Sequence, residues 1–542
     1  MKMEKYHLQE NLQEKIQTIK PKIDEMKPKN VPKKLIRLVF SRVFFVAFAL
    51  LLQLIWLLAM ALLLNSVSKY ISFAVSALTL IAVLWLVNKR INPSYKLAWT
   101  ILILAFPVIG FYLYVFFGKS RVATAMERNY EQAREEARGY LQESHAVREA
   151  LGKTDSCLAT QSKYIRDTSG FPLKDNTMVK YYPLGDDWFP DLVEALQSAE
   201  HFIFLEYFII NDGLVWQTVL GILEEKAAQG VDVRLIYDDF GCITTLPHHF
   251  YKELQKKGIQ CAAFNPFLPL LNVILNNRDH RKVCVVDGHT GFTGGTNLAD
   301  EYINHVVRFG HWKDTAIRLY GAGVWGLTAM FLEMWEVITR VHSDYPNYMP
   351  HVYHPGPFEG EGFVQPYCDT PLDNEVLGEN IYLNMINRAE KYVYICTPYL
   401  IIDNEMMTAL CLASKSGVDV RIMTPGIPDK KMVFLLTQSY YAQLVEAGVK
   451  IYEYLPGFLH AKSFVCDDKA AIVGTINMDY RSLYLHFENG VWMCQNQAVM
   501  DIKKDYMETL KKCRRISLGF CKNRNIVVRG LQSVLRLFAP LL

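Results

Sequence analysis

The residues best suited to chemistry form two octets, His280-Arg281-Lys282-Val283-Cys284-Val285-Val286-Asp287 and His460-Ala461-Lys462-Ser463-Phe464-Val465-Cys466-Asp467. Both read His-x-Lys-x-x-x-x-Asp. Each leads into a glycine turn and an asparagine, Gly294-Gly295-Thr296-Asn297 in the first and Gly474-Thr475-Ile476-Asn477 in the second. The apolar run between each Lys and its Asp predicts a buried strand. Side chains at i and i+2 share one face of a strand, so His280 points with Lys282 and His460 with Lys462. A His beside a Lys, with an Asn nearby, suits an anionic tetrahedral group. The Lys and Asn hold oxygens while the imidazole attacks or moves a proton. Two-step phosphoryl chemistry needs two such histidines, a nucleophile and an acid/base, and each octet carries one.

A metal is not expected to take part. His280, Cys284 and His289 have ligand chemistry, but the second octet has no counterpart of His289. The eleven cysteines all lie after residue 150, are odd in number and form no C-x-x-C pair. That pattern predicts reduced, buried thiols rather than a disulfide framework or a zinc site. The net charge of +3 over 542 residues gives nucleic-acid binding no support. No cofactor is called for.

The elements that must position the octets also repeat. Ser198-Ala199-Glu200-His201-Phe202-Ile203-Phe204 is echoed by Asn387-Arg388-Ala389-Glu390-Lys391-Tyr392-Val393-Tyr394, and Gly230-Val231-Asp232-Val233-Arg234 by Gly417-Val418-Asp419-Val420-Arg421. Each unit reads helix, buried strand, helix, Gly, strand, loop, His-Lys strand. This alternation predicts an α/β sheet flanked by helices. Two such units facing each other bring both histidines into one cleft.

Ahead of the repeat, residues 1–34 form a Lys-rich arm, read as a solvated tail or a segment touching anionic lipid. A membrane region is expected over 35–118, with apolar runs at about 43–64, 71–87 and 97–117, the last kinked by Pro107 and Gly110. Two or three spans are expected, with three preferred. The basic arm argues for a cytoplasmic N-terminus. Three spans would then leave the remainder outside, whereas the unpaired cysteines and Lys119, Arg121 and Arg128 favour the reducing side, and the reading leans to the cytoplasm. Residues 119–155 read as a solvated helical connector, 156–345 and 346–512 as the two units, and 513–542 as a basic amphipathic tail suited to an interface.

The paired octets resemble those of the phospholipase D superfamily. Further segments are similar to the bacterial cardiolipin synthases: Asp279-His280-Arg281-Lys282, Gly294 to Tyr302, Trp312-Lys313-Asp314, Gly457 to Lys462 and Asn477-Met478-Asp479-Tyr480-Arg481-Ser482. The third apolar run with its surroundings and the closing Pro540-Leu541-Leu542 match as well, so the resemblance spans about 70–542. It implies an α/β fold in which N-terminal transmembrane helices precede two phospholipase D-like α/β/α sandwich units related by a pseudo-two-fold axis. It implies a multi-pass protein of the cell membrane that joins two phosphatidylglycerol molecules into cardiolipin and glycerol. By analogy His280 is the nucleophile and His460 the acid/base. A phospholipase that hydrolyses the same bond, or a transferase with another acceptor lipid, is the alternative. Oligomeric state is not legible.

Asp287 and Asp467 belong to the catalytic motif. Yet five residues past Lys is too far along a strand to fold back, so they are expected to pin the turn. Asp314 and Glu488 are the better carboxylate partners for the imidazoles. Glu206 sits inside an apolar strand, either lining the cleft or in a structural salt bridge. Tyr237 to Gly241 ends a strand at a cleft edge or makes a plain turn. Phe264 to Leu275 reads as a loop at the lipid surface or a buried one.

Overall fold

The computed structural model describes residues 55, 69–89, 92–107, 110–111, 113–114, 121–266, 277–373 and 375–541. The basic arm, nearly all of the expected 43–64 span and most of the loop after Phe264 lie outside them.

Among the described residues eighteen strands follow in chain order. The first eight are β1 (Thr177–Tyr182), β2 (Phe202–Tyr207), β3 (Asp232–Asp238), β4 (Gln260–Phe264), β5 (Arg278–Asp279), β6 (Lys282–Val286), β7 (Thr290–Gly294) and β8 (Ala316–Gly321). The next five are β9 (Phe363–Asp369), β10 (Tyr392–Cys396), β11 (Leu400–Ile401), β12 (Asp419–Pro425) and β13 (Lys450–Tyr454). The last five are β14 (Ser463–Cys466), β15 (Ala470–Gly474), β16 (Met478–Asp479), β17 (His486–Cys494) and β18 (Cys513–Arg515).

One sheet runs β1-β8-β7-β6-β2-β3-β4. The other runs β18-β13-β12-β10-β14-β15-β17, with β9 beside β17. Matching β9, β17, β15, β14, β10, β12 and β13 to the first sheet's order gives the same topology. β2, β3 and β4 are parallel, as are β10, β12 and β13. The repeat read in the sequence is therefore a repeat of fold. Each octet's apolar run is a fully buried strand, β6 or β14. β-branched Val283, Val285 and Val286 suit that pleated interior.

The sheets are covered outside by helices such as Leu214–Ala228 and Lys431–Glu446. Between them lie two helices that follow β8 and β17. The buried helix Val324–Thr339 packs on β2, β4, β6, β7 and β8 and also on β9 of the other unit. Gln497–Leu510 packs on β10, β13, β14 and β15 and reaches β1. One hydrophobic core thus runs through both units.

Two expectations change. The connector is helical over Arg121–Arg138, but only one face of it is solvated. Tyr130, Ala133 and Ala137 recur at helical spacing and are buried in the shared core. The run 97–117 is not one helix. Its helix spans Pro93–Ala105 and ends at Phe106, because proline disfavours helical backbone in the residue before it. The amide of Gly110 then donates to the Phe106 carbonyl, and a Cβ at Gly110 would lie 2.4 Å from the Leu102 carbonyl oxygen. The middle run lies within the helix Lys69–Val87. Among the described residues no helix is long and apolar enough to cross a membrane.

Candidate active site

Each octet begins on a segment laced to the opposite unit. β5 pairs with the start of β17, Arg278 beside His486 and Asp279 beside Phe487, and the His280 amide donates to the Phe487 carbonyl at 2.9 Å. In the other direction the Lys313 amide donates to Phe458 O at 3.0 Å, and the His460 amide donates to Lys313 O at 2.7 Å. This lacing fixes the carboxylate partners. His280 Nδ1 lies 2.9 Å from both carboxylate oxygens of Glu488, and His460 Nδ1 lies 2.6 Å from Asp314 Oδ2. Each histidine therefore takes its carboxylate from the other unit. A carboxylate only accepts, so Nδ1 carries the proton and donates. The lone pair of Nε2 is left for chemistry.

The two carboxylates are held differently. Glu488 accepts from the hydroxyls of Thr475 and Ser482, the latter at 2.7 Å. Asp314 accepts from the Thr315 amide at 2.8 Å. Thr475 occupies the turn position that Gly295 holds in the first unit. A Cβ at Gly295 would come within 1.9 Å of Asp314 Oδ1, so that turn must stay bare. Thr475 and Ser482 lie within the motifs, whose spacing alone assigns them no role. The signal was the difference between the repeats, Gly295 against Thr475.

Burial dominates the electrostatics. Both histidines are 7% exposed. His280 is held well below the usual imidazole range by desolvation, then by Lys282, Lys462 and His460. His460 is lowered to about 4 by desolvation and Lys462, with Asp314 opposing. Desolvation lowers Lys282 to about 7 and Lys462 to about 8, against the pull of Glu488 and Asp314. Burial pushes Asp314 upward, but His460 and Lys462 outweigh it and the net shift is down. These mutual perturbations place both octets in one electrostatic neighbourhood. Lys282 and Lys462 fold their ammonium groups back onto the carbonyl oxygens of His280 and His460. Rings wall the pair: Phe208 stands edge-on to His280 at 4.9 Å, and Tyr302 and Trp312 each lie 5.5 Å from His460.

The remaining expected residues separate. Asp287 and Asp467 do not reach the imidazoles, which corrects their place in a catalytic set. Asp287 accepts the amides of Glu200, His201 and Phe202, and Asp467 those of Glu390, Lys391 and Tyr392. Each pins the start of a neighbouring strand. Asn297 is spent on local structure, accepting from the Ile209 amide and donating to the Tyr302 hydroxyl. The carbonyl oxygen of buried Asn477 has no hydrogen-bond partner among the described residues. Glu206 pairs with Arg281 at 2.5 Å and is fully buried, which is the salt-bridge reading. Asp238 caps a turn, accepting from the Gly241 and Asp279 amides.

Two clusters have metal-ligand chemistry among the described residues, His280 with His486 and Glu488, and Glu136 with Glu336 and His342. His280, Cys284 and His289 do not form one. In the first cluster Glu488 is already engaged by His280, Thr475 and Ser482.

Comparison with known proteins gives the family. The family model described as the cardiolipin synthase, phospholipase D-like domain matches residues 192–307 and 382–511, and the phospholipase D-nuclease N-terminal model matches 77–119. A cardiolipin synthase of Geobacillus sp. is 34% identical over 483 residues, covering 85% of this chain and 91% of that one. The chain belongs to the cardiolipin synthase family. It is a phosphatidyltransferase of the phospholipase D type. A cardiolipin synthase of Halalkalibacterium halodurans is 34% identical over 466 residues, covering 85% of this chain and 91% of that one. An uncharacterized protein of Streptococcus mutans is 43% identical over 461 residues, covering 85% of this chain and 99% of that one. The crystal structure of phosphatidylserine synthase from Haemophilus influenzae shares the fold, with a TM-score of 0.51 and 15% identity over 67% of this chain and 93% of that one.

Proposed function

We propose that the protein transfers a phosphatidyl group from one phosphatidylglycerol to a second, giving cardiolipin and glycerol. The observation that carries this reading is the reciprocal pairing of two buried histidines with carboxylates of opposite units, beside two lysines. In the first step His280 Nε2 attacks phosphorus and the bond to the headgroup glycerol oxygen breaks. His460, entering this step as the imidazolium, gives its Nε2 proton to that oxygen, becoming neutral, and glycerol leaves. In the second step His460 takes the proton from a headgroup hydroxyl of the second lipid. That oxygen bonds phosphorus, the phosphohistidine bond breaks, and His280 is regenerated. Glu488 and Asp314 hold each imidazole in the Nδ1–H tautomer and stabilise its charged form. Lys282 and Lys462 supply positive field for the phosphoryl oxygens. The assignment of roles follows the family analogy, and burial lowers both imidazoles.

The same reading makes this a multi-pass protein of the cell membrane, anchored through the apolar runs before residue 118. The eleven free thiols support a catalytic region on the cytoplasmic side.

The test uses purified protein with vesicles of phosphatidylglycerol and a chelator, resolving all products. Cardiolipin and glycerol in equal amounts are expected, with turnover lost in His280→Ala and in His460→Ala. Phosphatidic acid as the lipid product would make water the acceptor and the protein a phospholipase.

A further inference from the structure

The C-terminal tail is a helix with a second face to account for. Helix Ile526–Phe538 packs on the second unit through Gln532, whose side-chain amide donates to Leu435 O, and Leu535. Arg536 lies over the Tyr440 ring at 4.5 Å. About a quarter-turn round the helix, Val527, Leu531 and Val534 recur at i, i+4 and i+7 and point away from the protein. Ile526 and Val527 are 82% and 73% exposed, far more than apolar side chains on a finished surface need to be. From Lys511 to the last residue the chain carries eight Lys and Arg and no Asp or Glu.

This face does not stand alone. The turn Ala539–Leu541 packs against helix Pro93–Ala105, which exposes apolar Leu97 and Leu104, with exposed Phe106 just past its end. The cap of that helix, Asn92, donates to the Tyr484 hydroxyl at 2.8 Å and to Asp403 at 3.0 Å. Tyr484 ends the short helix Tyr480–Tyr484, which also carries Ser482, the donor to Glu488. The apolar surface is thus one short helix away from the carboxylate that orients His280.

We infer that helix Ile526–Phe538 docks in the interface of an anionic phospholipid bilayer and, with helix Pro93–Ala105, sets the cleft at the lipid surface. Apolar residues on one stripe and a chain segment of purely positive charge are the pattern that anionic headgroups over acyl chains complement. A protein partner would need acidic counter-charges around an apolar groove and would not explain the continuity with the apolar N-terminal helices. The inference rests on the proposed lipid substrate and adds the surface that presents it.

The experiment compares the full-length protein with Val527→Glu/Val534→Glu and the control Val527→Leu/Val534→Leu. Each is assayed on phosphatidylglycerol vesicles and on a short-chain phosphatidylglycerol dispersed below its micelle concentration. The glutamate pair is expected to lose about tenfold or more of its turnover on vesicles, from lost apolar insertion and added repulsion. On dispersed lipid it should stay within about twofold of the parent, since the cleft is untouched. The leucine pair should match the parent on both. Equal turnover of the glutamate pair on vesicles would overturn the inference. So would a loss of the same size on dispersed lipid. Failure of the parent protein on both substrates would instead refute the proposed function, which keeps the two failures apart.

Discussion

At the scale of single residues the site depends on charges kept out of water. Lys282 and Lys462 are the groups whose titration falls within a working range, at about 7 and about 8. A lysine is cationic below its pKa and neutral above it. The phosphodiester needs the cation and the first step needs protonated His460, which is lost above about 4, so kcat/KM should fall across this range and more steeply as pH rises through 7 to 8. A bound phosphate anion favours the charged ammonium, so the fall in kcat should move to higher pH than the fall in kcat/KM. Steady-state rates from pH 5.5 to 9.5 check this, and a kcat/KM that keeps rising to pH 9 would contradict it. The chemistry of this scale was legible in the sequence. His and Lys types at fixed spacing pointed to it, whereas His280 and His460 stand ahead of strands β6 and β14, where i, i+2 alternation does not apply, and Asn297 is spent on local structure. The roles of Thr475 and Ser482 were not legible. A hydroxyl is informative only once the carboxylate it faces is known.

At the scale of elements, turns do the positioning. Asp287 and Asp467 adopt positive φ, 48° and 54°, a conformation aspartate tolerates better than most residues. Each then spends its carboxylate on three backbone amides. Asp467→Ala should cost about 1–3 kcal/mol of stability, the range for leaving buried donors unpaired. The urea midpoint of the solubilised protein measures it, and the turnover of the folded fraction should change far less than for His460→Ala. Gly295→Ala should act oppositely. Its methyl would displace Asp314 from His460, lowering turnover at least about tenfold while leaving the fold intact. Thermal unfolding beside activity checks both halves of that statement. The strands themselves were legible because Val283–Val286 and Phe464–Cys466 are apolar runs of strand length. The break near Pro107 was legible as a kink but not as a helix end, since hydropathy does not register where proline stops the hydrogen-bond ladder. The buried face of helix Arg121–Arg138 was hidden by its charge, although Tyr130, Ala133 and Ala137 share one face.

At the scale of the whole molecule, the units exchange their acids. Asp314 lies downstream of His280 and Glu488 downstream of His460, so the sequence suggests partners within one unit. The β5–β17 pairing and the lacing of 310–313 to 457–460 bring the opposite partners together. No one-dimensional pattern contains that crossing, because it arises where two sheets meet around a shared core. It has a sharp consequence. Glu488→Gln should change the acylation rate of His280 by diethyl pyrocarbonate and leave that of His460 near the parent value. Asp314→Asn should do the reverse. Peptide mass mapping reads both sites in one sample, and the swapped pattern would contradict the exchange.

The central claim is a covalent intermediate on one particular histidine, and trapping it tests that claim most directly. The protein is quenched in alkali during turnover of phosphatidylglycerol, where phosphohistidine survives, digested and mapped by mass. The mechanism predicts the phosphatidyl adduct, or its deacylated remnant, on the peptide containing His280, absent from that of His460 and absent in His280→Ala. An adduct on His460, or steady production of cardiolipin with no adduct on either histidine, would contradict it.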